Sequence, residues 1–148
     1  MSLPAFDPAT GNLPPGLHDA SWDEIAAAFG STTHRKALLD GLLRALQALR
    51  AAGCRRAYID GSFATAKDTP GDFDACWEPQ GVDYGSLDPV LLDFSSQRAA
   101  QKAKYGGELF IAIAAAAPAG TPFLEFFQRD KATGDQKGIA AINLGDLP

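Results

Sequence analysis

Two short segments constrain this chain more than any other part of it. The segment Tyr58-Ile59-Asp60 ends in Gly61-Ser62, and after nine intervening residues comes Asp72-Phe73-Asp74. The second segment continues as Ala75-Cys76-Trp77 and reads as a strand entered from the turn Thr69-Pro70-Gly71. Side chains alternate across a strand, so Asp72 and Asp74 share one face while Phe73, Ala75 and Trp77 line the other. Aspartate is poorly suited to strands, and an acidic pair on one face needs either solvent or a cation. Such a pair suits a hard divalent cation such as Mg²⁺. Gly61 and Ser62 supply a bare turn and a hydroxyl, which suit a phosphate. A phosphate cradle ahead of a metal-binding carboxylate pair is what nucleotidyl or phosphoryl transfer requires. The plainer alternative is a strand-ending turn followed by surface aspartates.

The rest of the chain reads as one domain over residues 1–148, with 46% hydrophobic and 21% charged residues, enough for a real core. The net charge of −5 argues against a large nucleic-acid footprint. No apolar stretch approaches a membrane span, and the first residues lack the basic and apolar regions of a signal peptide. A cytoplasmic location is therefore expected, with Cys54 and Cys76 as free thiols.

Residues 1–20 form a Pro-rich N-terminal arm in which Phe6, Leu13 and Leu17 are the positions able to pack. Ser21-Trp22-Asp23-Glu24 fits a capping box for a short helix ending at Phe29. A second helix runs from about Ser31–Thr33 to Gly53, with Leu38, Leu39, Leu42, Leu43, Leu46 and Leu49 at helical spacing. Arg56 to Asp60 is the first strand and Asp72 to Trp77 the second. Asp88-Pro89 predicts a helix from Pro89 to about Tyr105. Leu109 to Ala117 is compatible with strand or helix. Phe123 to Phe127 reads as a strand, Asp130 to Asp135 as a polar turn, and Gly138 to Leu144 as a returning strand. The order is that of a small α/β or α+β protein, a mixed sheet with helices packed on it.

The run Asp60-Gly61-Ser62…Asp72-Phe73-Asp74 resembles the signature of the nucleotidyltransferase superfamily related to DNA polymerase beta. The flanks are more specific. Gly11-Asn12-Leu13-Pro14-Pro15-Gly16-Leu17-His18, Gly61-Ser62-Phe63-Ala64-Thr65-Ala66-Lys67, Asp72 to Trp77 and Phe126-Phe127-Gln128-Arg129-Asp130-Lys131 together resemble a family of small bacterial and phage proteins with no assigned function. That family is grouped with minimal nucleotidyltransferases, and the likeness covers nearly the whole chain. The resemblance implies a nucleotidyltransferase-type sheet and the same phosphate-holding role for Gly61 and Ser62. It also implies a third carboxylate on a strand after Asp74. Small stand-alone members of the superfamily often belong to toxin–antitoxin or phage-defence modules, which by analogy suggests a protein partner.

The expectation is a Mg²⁺-dependent transferase moving a nucleoside monophosphate from a nucleoside triphosphate to a hydroxyl on a protein, an RNA or a small molecule. Asp72 and Asp74 bind metal, and Gly61 and Ser62 hold phosphates. Glu125, between apolar neighbours, completes the acidic triad and acts as base, with Asp93 and Glu108 as its rivals. Lys67, in the loop between Ser62 and Asp72, leads Arg129, Lys131 and Lys137 as the cation facing the triphosphate. Trp77 and Phe73 read as core, and Cys76 as a small filler on the Asp74 face. Asp60, one residue before Gly61, adds an unexpected negative charge to the cradle. The alternative function is a catalytically silent interaction module on the same fold, working with a protein partner or as a homodimer.

Overall fold

The capping box at the start of the first helix forms as its residues dictate. Ser21 Oγ accepts from the backbone N–H of Glu24, and the Glu24 carboxylate accepts from the N–H of Ser21. Helix α1 then spans Trp22–Phe29 and buries Trp22, Ile25 and Phe29. Thr32 caps helix α2, Thr33–Ala51, whose leucines at 38, 39, 42, 46 and 49 are buried along one stripe. Arg35 is buried too, and its guanidinium donates to the carbonyl of Phe29, tying the end of α1 to the start of α2. The description covers residues 3–60, 72–116, 120–130 and 133–148 of this computed structural model.

Five strands make one mixed sheet: β1 Gly16–Asp19, β2 Arg56–Asp60, β3 Phe73–Trp77, β4 Gly107–Ile111 and β5 Gly138–Asn143, in the spatial order β1-β5-β2-β3-β4. The β1–β5 and β3–β4 pairs are parallel, and the β5–β2 and β2–β3 pairs antiparallel. The expected α+β class is the observed one. The N-terminal arm is part of the sheet: β1 is its edge strand, Leu13 is buried, and Phe6 stacks on Phe29 with ring centroids 6.0 Å apart.

Alternation sorts the sheet into two faces. Ala57, Ile59, Phe73, Ala75, Trp77, Leu109, Ala140 and Ile142 point to the α1/α2 side and form the main core. Tyr58, Cys76, Ile139 and Ala141 point the other way, into a smaller cluster with Phe127 and the partly buried Phe110 and Phe123.

Two expected elements differ. Residues 123–127 do not form a strand. Helix α4 spans Phe123–Phe126, opened by Pro122 in extended conformation. Four apolar residues around one glutamate, in a run of five, fit either period; here Phe123 and Phe127, one turn apart, both pack against Phe110 of the sheet. Nor is there one helix from Pro89 to Tyr105. Asp88 accepts from the N–H of Val90 and caps only a 3₁₀ turn, Pro89–Leu92. Helix α3, Ser95–Tyr105, follows, and within it Ser96, Gln97 and Arg98 have left-handed backbone, with φ of 51°, 57° and 60°. Left-handed backbone costs a non-glycine residue about 1–2 kcal/mol, so tertiary contacts must hold this turn. Farther along α3, the buried Gln101 accepts from the N–H of Leu109 at 2.7 Å, which blunts the outer edge of β4.

Helices α2 and α3 meet where Gly41 faces the backbone of Tyr105. A Cβ on residue 41 would stand 1.8 Å from the Tyr105 carbonyl oxygen. On helix propensity alone Gly41→Ala should stabilise by about 1 kcal/mol. The close approach reverses the sign. Urea denaturation is expected to show a loss of about 2 kcal/mol or more, as overpacking produces; a gain in stability would contradict this helix contact.

Candidate functional site

The register of three adjacent strands places three carboxylates in one row. Asp60 is opposite Asp74 across the β2–β3 pair, and Asp74 is level with Glu108 across the β3–β4 pair. All three lie on the face of Tyr58, Cys76 and Phe110, at the end of the sheet where β2 finishes and β3, β4 and β5 begin. Asp72 lies just before β3 on the same side. Asp72, Asp74 and Glu108 line one cavity of about 420 Å³, roofed by Phe123, Phe126 and Phe127.

Like charges in neighbouring positions destabilise a sheet, and the structure supplies cations to the outer two. Lys137, just ahead of β5, reaches Asp60 at 2.6 Å, with both side chains largely shielded from solvent. Glu108 is held by two cations from α3. Arg98 Nε and Nη2 approach its Oε2 at 3.1 and 3.0 Å, and Lys102 Nζ its Oε1 at 3.0 Å. Arg98 also lies over the ring of Phe110, 5.4 Å from its centroid. These contacts offset the cost of the left-handed turn that presents Arg98. The charge on Asp60 is therefore met by a cation.

The sequence-derived candidates divide. Asp72 and Asp74 are brought together in one cavity. Glu125 is not brought to them. It sits on α4 and lines a separate cavity with Gly16, Gln128, Arg129, Gln136 and Lys137. Its rival Glu108 occupies the row beside Asp74, whereas Asp93 accepts from the N–H and Oγ of Ser95 at the start of α3. Lys137, expected to face a triphosphate, is engaged by Asp60. Gly61, Ser62, Lys67 and Lys131 lie outside the described residues. Sequence reasoning did not single out Arg98 or Lys102. The signal was present in their spacing, since residues four apart on a helix share a face.

A metal is tested here by the donor set. Two carboxylates on one face, open to one cavity, suit Mg²⁺, which is commonly held by one or two carboxylates, with substrate phosphates and water completing its shell. Among the described residues no group of three or more His, Cys, Asp and Glu is gathered to hold a metal ion.

Cys76 stands on the same face and is not a nucleophile. Burial pushes its thiol far up, and the nearby Asp60 and Glu78 push it further. Burial also raises Cys54, the larger effect against the backbone hydrogen bonds that lower it. Only a thiolate attacks. Three of the basic residues of α2 and its exit are tied to other parts of the fold. Arg44 donates to the carbonyl of Lys104, Arg50 to that of Leu147, and Arg56 pairs with Asp19 at 2.6 Å. No helix among the described residues is long and apolar enough to cross a membrane.

Residues 4–143 match the model of a family of unknown function, DUF6932. The chain belongs to this family. No curated protein and no solved structure matches it. For this DUF6932 protein the carboxylate row is thus the feature from which a function must be argued.

Two outcomes follow. Lys137→Met removes the cation from a carboxylate that is only 5% exposed. It is expected to cost about 3 kcal/mol in chemical denaturation, part of which Asp60→Asn restores in the double variant. A loss below about 0.5 kcal/mol would mean the pair is not a buried one. Neither cysteine of the native protein should react with a thiol-specific disulfide reagent at pH 8, and both should react once it is unfolded. Rapid native labelling of Cys76 would contradict its burial.

Proposed function

We propose that this protein is a Mg²⁺-dependent nucleotidyltransferase that moves a nucleoside monophosphate from a nucleoside triphosphate to a hydroxyl acceptor in the cytoplasm. The observation that carries the reading is the cavity shared by Asp72, Asp74 and Glu108 at the end of the sheet. In this reading Asp72 and Asp74 hold the metal, which when bound neutralises charge on the phosphates and on the departing pyrophosphate. Gly61 and Ser62 hold the terminal phosphates. Glu108 takes the place of Glu125 as third carboxylate, because it stands level with Asp74. The acceptor oxygen forms a bond to the α-phosphorus, the bond from that phosphorus to the bridging oxygen breaks, and pyrophosphate leaves. The acceptor proton passes to Glu108. Arg98 and Lys102 hold that carboxylate in the structure, and the triphosphate competes for both cations, which frees Glu108 to accept the proton. The acceptor is a protein, an RNA or a small molecule, and a toxin–antitoxin or phage-defence setting fits so small a chain by analogy.

One observation favours a second reading. The same two cations neutralise Glu108, which weakens its pull on a metal. If that clamp is permanent, the protein is a catalytically silent interaction module acting with a protein partner or as a homodimer.

Calorimetric titration of ATP, GTP, CTP and UTP, with and without Mg²⁺, separates the two. The transferase reading expects metal-dependent binding that disappears in the Asp72→Asn/Asp74→Asn variant. It also expects Glu108→Gln to weaken that binding and Glu125→Gln to leave it unchanged. A folded protein that binds none of the four sinks the reading and leaves the interaction module.

A further inference from the structure

A second cavity, of about 310 Å³, adjoins the acidic one and differs from it in character. It is lined by Phe94, Phe110, Phe123 and small apolar residues, and Arg98 is its one polar side chain among the described residues. The three rings are arranged as a stack. Phe110 and Phe123 lie nearly parallel with centroids 4.1 Å apart, and Phe94 lies parallel to Phe110 within 6°, at 6.2 Å. Phe94 is 39% exposed, so this surface is open to a ligand. Phe110, Phe123 and Arg98 belong to both cavities. Arg98 forms the seam, its guanidinium over Phe110 on one side and paired with Glu108 on the other.

A ligand filling both lobes needs a flat, weakly polar ring at one end. Near Arg98 it needs negative charge, and at the carboxylates a group that brings a cation. A nucleoside triphosphate with its metal has these three features in this order. We propose that the aromatic lobe formed by Phe94, Phe110 and Phe123 is the nucleobase subsite, with Arg98 directing the phosphates toward Asp72 and Asp74. This rests on the transferase reading and goes further in placing the base. Each lobe is within the range of small-ligand sites, about 300–1,000 Å³. Recognition in the aromatic lobe is by stacking, which every base offers and which discriminates weakly between them. With one polar side chain on its wall, the lobe should accept adenine and guanine alike and bind pyrimidines less well, in proportion to ring area.

The test compares MgATP with magnesium tripolyphosphate, which has the phosphates and lacks base and sugar. Both are titrated calorimetrically into the full chain and into Phe94→Ala, with Phe110→Leu as a second variant and circular dichroism to confirm folding. The proposal expects MgATP to bind at least ~10-fold tighter than tripolyphosphate, the scale of one base stacked on aromatic rings. It expects that advantage to shrink in both variants, while tripolyphosphate affinity stays the same in Phe94→Ala, whose side chain does not line the acidic cavity. Equal affinities in the unmodified protein would overturn the base subsite and leave the transferase reading standing. An ATP advantage untouched by both variants would place the base, or an aromatic acceptor, elsewhere and overturn it as well. Failure of both ligands to bind would remove the transferase reading, and this inference with it.

Discussion

Asp60, Asp74 and Glu108 stand side by side on adjacent strands, and their mutual repulsion shapes much of what surrounds them. Three carboxylates at cross-strand positions destabilise a sheet unless cations or solvent intervene. Lys137 at the mouth of β5 answers Asp60. Arg98 and Lys102 answer Glu108, and Arg98 does so from a left-handed turn that no glycine eases. Asp74 lies between these two acids and lines the cavity together with Asp72. The arrangement concentrates negative charge at one point and holds the flanks with built-in cations. Backbone strain of this kind collects where surrounding structure is committed to a function.

The two faces of the sheet divide the work. The α1/α2 side carries the large core, with Trp77, Phe73, Ile59 and the leucines of α2. Among the described residues, the other side carries a smaller cluster built on α4 and its phenylalanines. Cavities lie beside the carboxylates on this side, lined by the aromatic rings that hold this short helix to the sheet. Stability and site thus sit on opposite faces of the same strands. A substitution that weakens the α4 side is expected to disturb the cavities before it disturbs the fold.

Much of this was legible in the sequence, for identifiable reasons. Ser21 and Glu24 announce a capping box, the α2 leucines keep one period, and Arg56–Asp60, Phe73–Trp77 and Gly138–Asn143 are bounded by turn residues on at least one side. The shared face of Asp72 and Asp74 follows from alternation alone. The failures were of two kinds. Phe123–Phe127 is too short for its period to show, so the sequence suits a strand there and makes Glu125 a strand carboxylate. Leu109 to Ala117 suits strand or helix alike. Once its start, Gly107–Ile111, is a strand, Glu108 and Phe110 fall on one face and Leu109 on the other, and Glu108 comes into line with Asp74. The second kind was tertiary. Nothing local ties Lys137 to Asp60, signals three left-handed residues at Ser96–Arg98, or pairs the proline-rich arm with β5.

The central claim is that Asp72 and Asp74 form a metal and triphosphate site. Anomalous diffraction at the manganese edge tests it most directly, on crystals grown with Mn²⁺ and a non-hydrolysable nucleoside triphosphate. The account predicts a manganese peak within coordination distance, roughly 2.0–2.3 Å, of carboxylate oxygens of both Asp72 and Asp74, with phosphate density beside it. A well-ordered structure with no anomalous peak at these aspartates, or with the nucleotide bound away from them, would contradict it.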